Sequence, residues 1–100
     1  MGTAARAYGL RFDLPANRTL KLWKVIGWSD APASTVFARI HNETDAVVED
    51  ERDLSGGIFD EGAPLASWSY SEAKRLSFYA YNSSTSDTYT ACVLWLITIE

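Results

Sequence analysis

The sequence predicts an all-β fold, an antiparallel β-sandwich of about seven or eight short strands with a jelly-roll arrangement among its possible forms. Three observations lead there. Short runs of alternating apolar and polar residues recur between clusters of turn-forming residues. Helical apolar spacing is missing throughout, and residues 71–76 could make one turn at most. Residues 88–99 are β-prone at almost every position and apolar on both pleat faces, with Ala91, Val93, Trp95, Ile97 and Ile99 on one and Cys92, Leu94 and Leu96 on the other. Such a strand is expected in a sheet covered on both sides, with Leu94, Trp95 and Leu96 buried between layers.

The elements follow in order. Residues 5–14 place Arg6, Tyr8, Leu10, Phe12 and Leu14 on one face until Pro15, Ala16 and Asn17 break the run. Residues 18–28 form a second strand, with Leu20, Leu22 and Ile26 set against Trp23 and Val25, and Gly27 marks a bend or bulge. A loop containing Asp30 and Pro32 leads into residues 36–40, where Val36, Ala38 and Ile40 share a face, and residues 42–45 are a turn by composition. Residues 46–48 extend as a short strand. Periodicity then disappears from Glu49 to Pro64, which reads as a loop long enough in a small domain to suggest a functional or assembly role. Strands return at 65–71 and 75–82, and residues 82–87 connect to the terminal strand.

One hundred residues, 47% of them hydrophobic, make a single domain spanning 1–100 that can build its core without a metal, cofactor or disulfide. The lone Cys92 has no internal disulfide partner and is expected to act as a small buried hydrophobe. Around Arg6 and Arg11 there is no continuous apolar segment, so neither a secretory signal nor a membrane span is read, and a soluble chain is expected.

Net charge is −4, which gives no general attraction to nucleic acid or to anionic membranes. The charge is unevenly spread. Through His41, six basic residues (Arg6, Arg11, Arg18, Lys21, Lys24 and Arg39) face only Asp13 and Asp30, for a net +4; from Asn42 onward three basic residues meet eleven acidic ones, for −8. Basic and acidic strands can neutralise each other side by side on one sheet, or the molecule can dock basic face to acidic face with another subunit. Lys21, Lys24, Lys74 and Arg75 are candidates for guarding edge strands, and equally for meeting an acidic partner.

Two groups of residues are candidate sites. If Glu72 and Ala73 form a hairpin tip, Trp68, Tyr70, Tyr79 and Tyr81 share one face, a platform suited to a partner protein or to the C–H face of a sugar, or else a core face. Glu49, Asp50, Glu51, Asp53, Asp60 and Glu61 make an acidic loop, a contact segment or a weak cation site whose spacing does not match an EF-hand; no metal is expected. His41 is the only histidine and is read as a polar strand-end residue. No nucleophile elbow, P-loop or dinucleotide fingerprint occurs, so catalysis is not expected. Asn17, Asn42 and Asn82 each stand two residues before Ser or Thr, which fits both glycosylation and ordinary turn chemistry; turns are the preferred reading.

The resulting expectation is a non-catalytic structural protein that acts through protein–protein contacts, assembling with copies of itself or with a larger shell, as an accessory coat protein of a virion does. A small carbohydrate-binding module using the aromatic platform is the alternative.

Overall fold

The computed structural model describes residues 6–100, and for Glu61 and Gly62 the backbone path alone. The first residue of the strand expected at 5–14 therefore lies outside the described residues. Seven strands run β1 (Arg6–Leu14), β2 (Thr19–Ser29), β3 (Val36–Asn42), β4 (Val47–Asp53), β5 (Ile58–Ser69), β6 (Lys74–Asn82) and β7 (Ala91–Ile99). They form two antiparallel sheets, one of four strands in the order β1-β6-β3-β4 and one of three in the order β5-β2-β7. The all-β class expected from the sequence is what the chain adopts. Among the described residues no helix is long and apolar enough to cross a membrane.

Alternation within each strand decides what is buried. Leu20, Leu22 and Val25 of β2 join Leu14, Ile40, Leu76 and Phe78 of the other sheet in one buried cluster, against which Trp68, Trp95 and Ile97 pack. A smaller cluster gathers Ala31, Val36, Ala38, Leu54 and Ala80. Phe78 and Trp95 meet edge to face at 5.5 Å between ring centroids, tying β6 to β7.

The first strand does not keep one face. Its register against β6 shifts between Tyr8 and Leu10, so Arg6 and Tyr8 stand opposite Tyr81 and Tyr79 while Leu10 and Phe12 stand opposite Phe78 and Leu76. The extra residue at Gly9 is a bulge, and a bulge moves everything beyond it to the opposite side. Arg6 and Tyr8 thus leave the face that carries Phe12 and Leu14.

The segment 49–64 is not a long loop. It contains most of β4 and half of β5, joined by a short turn in which Gly56 and Gly57 take φ of 72° and 91°. Hydrophobic periodicity hides β4 because charge takes its place. Glu51 accepts from Arg39 on β3 at 2.7 Å, and Arg52 bridges Asp50 and Asp60, so the acidic run is neutralised strand by strand. Leu54 anchors the turn: fully buried, its N–H donates to the Val36 carbonyl at 2.9 Å and its own carbonyl accepts from Ser29.

Strands β5 and β6 are not a hairpin either. Glu72 and Ala73 lack the left-handed preference that a tight two-residue turn requires, and residues 70–73 instead carry the chain from one sheet to the other. Strand β7 lies at an edge, paired only with β2 among the described residues, and just one of its faces is covered. Trp95 points toward the core, whereas Leu94 and Leu96 face outward, which corrects the expectation that all three are buried. Cys92 is exposed as well, because it shares the parity of Leu94. Lys21 and Lys24 sit on the central strand β2, and Lys74 and Arg75 on the inner strand β6, so none of them guards an edge.

Candidate functional site

The outward face of the three-stranded sheet is built by register. Strand β2 sets Ile26 opposite Leu94 of β7 and opposite Phe59 of β5, so Phe59, Ile26 and Leu94 form an apolar row across the whole sheet. Trp28 lies above this row and Leu96, opposite Lys24, below it. Phe59 is 65% exposed, Leu94 64%, Leu96 54% and Trp28 46%. An aromatic side chain presents roughly 150–250 Å², so Phe59 and Trp28 leave on the order of 200 Å² in water between them. With Leu94 and Leu96 the patch reaches about 400 Å², within the range in which a monomer's largest apolar patch is often functional. Polar groups border it at one end. The Lys24 ammonium stands 4.9 Å over the Phe59 ring, Lys21 pairs with Glu100 at 3.2 Å, and the Trp23 indole donates to the Thr98 hydroxyl at 2.7 Å.

The patch continues around the β7 edge into a cleft of about 290 Å³ between the sheets, lined by Gly9 and Leu10 of β1, Phe78 of β6, and Val93, Trp95 and Ile97 of β7. Its walls are almost wholly apolar. On the opposite side of the molecule, where β4 and β5 run, Arg52 closes the corresponding seam through Asp50 at 3.0 Å and Asp60. One flank is sealed by charge and the other is open and greasy.

The outward face of the four-stranded sheet is different in kind. Its rings are already covered by guanidinium groups: Arg6 lies 4.6 Å over Tyr79, Arg11 4.8 Å over Tyr8, and Arg39 4.3 Å over Tyr81. Tyr8 leans on Tyr79 at 5.4 Å, and His41 approaches it edge-on at 6.1 Å. Tyr79 is fully buried by these neighbours although it points away from the core. Glu43 ties the group together, accepting from Ser77 and from Arg6 at 3.3 Å and lying 3.0 Å from His41 Nδ1. The Ser77 hydroxyl above all, with His41 and Arg6 in support, holds the Glu43 carboxyl below the usual carboxylate range.

The four rings expected to share a platform are therefore divided between the sheets. Trp68 stands opposite Leu20 and packs against the core cluster, and Tyr70, just beyond β5, does the same. Burial, with the Glu49 carboxylate nearby, pushes the Tyr70 phenol up to about 12. Tyr79 and Tyr81 belong to the arginine-covered face of β6. The acidic residues are likewise dispersed: Glu51, Asp50 and Asp60 are spent on arginines, and Asp53 accepts from the backbone N–H groups of Ser34 at 2.8 Å and Ser55 at 3.0 Å, which keep its carboxyl acidic. The Glu61 side chain lies outside the described residues. No three His, Cys, Asp or Glu side chains gather as a ligand set among the described residues. His41 and Cys92 stand on different sheets.

Asn42 and Asn82 are fully buried and act as turn residues. Asn42 accepts from the Asp45 N–H at 3.1 Å, and Asn82 accepts from the Ser84 N–H at 3.0 Å while donating to the Asp87 carbonyl at 2.9 Å. Asn17 is exposed in a turn, with a left-handed φ of 63°.

Sequence reasoning missed Phe59, because it sits in the segment without apolar rhythm, and missed the pairing that brings Ile26 and Trp28 beside Leu94 and Leu96. A signal was present. Residues 88–99 are apolar on both faces, and covering both faces of a strand takes a layer on each side. Compared with models of known protein families and with curated protein sequences, the chain matches none.

Proposed function

We propose that this chain is a non-catalytic assembly module, a β-sandwich of two packed sheets that works through protein–protein contacts made by the outer face of its three-stranded sheet. The observation that carries this reading is the row Phe59, Ile26 and Leu94 with Trp28 and Leu96 beside it, a continuous apolar surface on a rigid sheet. Charge distribution supports it. The acidic half of the sequence is largely paired within the molecule, through Arg39–Glu51, Arg52–Asp50, Lys74–Asp45 and Arg6–Glu43, which leaves apolar burial as the main source of contact energy. An accessory subunit of a coat or shell is a role such a surface suits. The covering of Tyr8, Tyr79 and Tyr81 by arginines weighs against a sugar platform, which needs a bare ring face.

Light scattering on the purified chain tests the reading. A mass above that of one chain, reduced by Leu94→Ser together with Leu96→Ser, is the expected result. A strict monomer whose tryptophan fluorescence shifts on titration with oligosaccharides would overturn it in favour of sugar binding.

A further inference from the structure

Building on that contact reading, we propose that the partner at the β7 edge is a second copy of this chain, paired β7 to β7 in antiparallel about a two-fold axis at Trp95, so that two three-stranded sheets fuse into one of six.

The four sheet edges are not guarded alike. Strand β1 carries Arg6, Arg11 and the Gly9 bulge; β4 carries the charged run from Glu49 to Asp53; β5 carries Pro64 and a break in register opposite Leu22 and Lys24. Each is a device that discourages edge pairing. Strand β7 has none. Its nine residues contain no charge and no proline, and they run unbroken, because the register break against β2 is taken up by Trp23. Among the described residues no strand pairs with the outer N–H and C=O groups of β7, and an edge of this kind is a template for another strand.

That strand fits itself. Antiparallel pairing about Trp95 sets Leu94 opposite the partner's Leu96, Val93 opposite the partner's Ile97, Cys92 opposite the partner's Thr98 and Ala91 opposite the partner's Ile99. Outward residues meet outward ones and core-facing residues meet core-facing ones, with no like charges opposed. This is the self-complementarity that an isologous interface requires. The partner's strand would also lie across the mouth of the apolar cleft between β1 and β7.

Charge placement favours this geometry over stacking the two faces. In the fused sheet the β2 strands bearing Lys21 and Lys24 lie three strand spacings apart, about 14 Å, beyond the screening length of physiological salt. Stacked faces would press those lysines together.

The test uses Thr98→Cys with the native Cys92. Along one strand these positions are about 20 Å apart, so a disulfide between them can form only across two copies. Mild oxidation with diamide is expected to yield a covalent dimer, and Leu96→Lys, at an exposed position that leaves circular dichroism unchanged, is expected to weaken dimerisation about tenfold or more. A wild-type oligomer that Leu96→Lys leaves intact and Thr98→Cys does not link would overturn the β7 pairing while the contact reading stands on another surface. A wild-type monomer at high concentration would overturn both.

Discussion

Gly27 shows how little room the inner face of β2 leaves. A Cβ there would stand 2.6 Å from Leu54 Cδ2, 3.2 Å from the Cys92 carbonyl and 3.3 Å from Val93 Cγ2. The leucine is fully buried and the carbonyl is backbone, so neither can yield cheaply. Gly27→Ala is expected to cost about 1–3 kcal/mol, read from the urea midpoint at constant slope. A change within a few tenths would mean that Leu54 does not pack on that position. Glu43 makes a second residue-scale prediction. Its folded-state pKa lies below the ordinary 4.5, so the stability it contributes is complete above pH 4.5 and is lost as pH falls through the lowered value. Glu43→Gln is therefore expected to flatten the acid limb of the stability profile below pH 4.5, and an acid limb identical to wild type would contradict the cluster around Tyr79. Neither partnership was readable from composition. His41 was legible as a polar residue near a strand end, but not as a neighbour of Arg6, Tyr79 and Ser77, which the β1-β6-β3 order brings together from three separate stretches of chain.

At the scale of the elements, Arg52 is the clearest test, because it holds the β4 edge to β5 through Asp50 and Asp60. Arg52→Ala leaves the Asp50 carboxylate half-buried without its partner and is expected to destabilise by about 1–3 kcal/mol in a urea titration, with a coupling to Asp50→Asn in a double-mutant cycle. A loss below about 0.5 kcal/mol would place the pair among ordinary surface ion pairs. Deleting Gly9 tests the bulge: Arg6 and Tyr8 would turn toward the core side, and a large loss of thermal stability is expected, whereas an unchanged melting temperature would contradict the register. The strands that were legible are those whose apolar residues alternate cleanly, as in β3 and β6, where Val36, Ile40 and Phe78 face inward by parity alone; in β2 the register break at Trp23 brings Val25 inward with Leu20 and Leu22 and turns Ile26 outward, which corrects the face expected for both. Of strand β4 only the start at Val47 and Val48 was legible, because arginine–carboxylate pairing replaces apolar alternation from Glu49 to Asp53. The hairpin read between Trp68 and Tyr81 failed for a different reason, since alternation fixes which face a residue takes but not which strand lies beside it.

For the whole molecule, the β class and the two-faced apolarity of residues 88–99 were visible in the chain, but the consequence of that apolarity was inverted. Among the described residues only the inward face of β7 is covered, so Leu94 and Leu96 emerge on the surface and supply the proposed contact face. The candidate site was correspondingly half legible: aromatic and aliphatic contact residues were expected, yet the four rings expected were Trp68, Tyr70, Tyr79 and Tyr81, while the rings exposed on the apolar face are those of Trp28 and Phe59. Hydrogen–deuterium exchange of the β7 amides across a range of protein concentrations tests the central claim most directly, because pairing at that edge protects groups that a free edge leaves to water. Protection of residues 91–99 that rises with concentration and is lost in Leu96→Lys is the predicted result; fast exchange of the outward-directed amides at every concentration would contradict it.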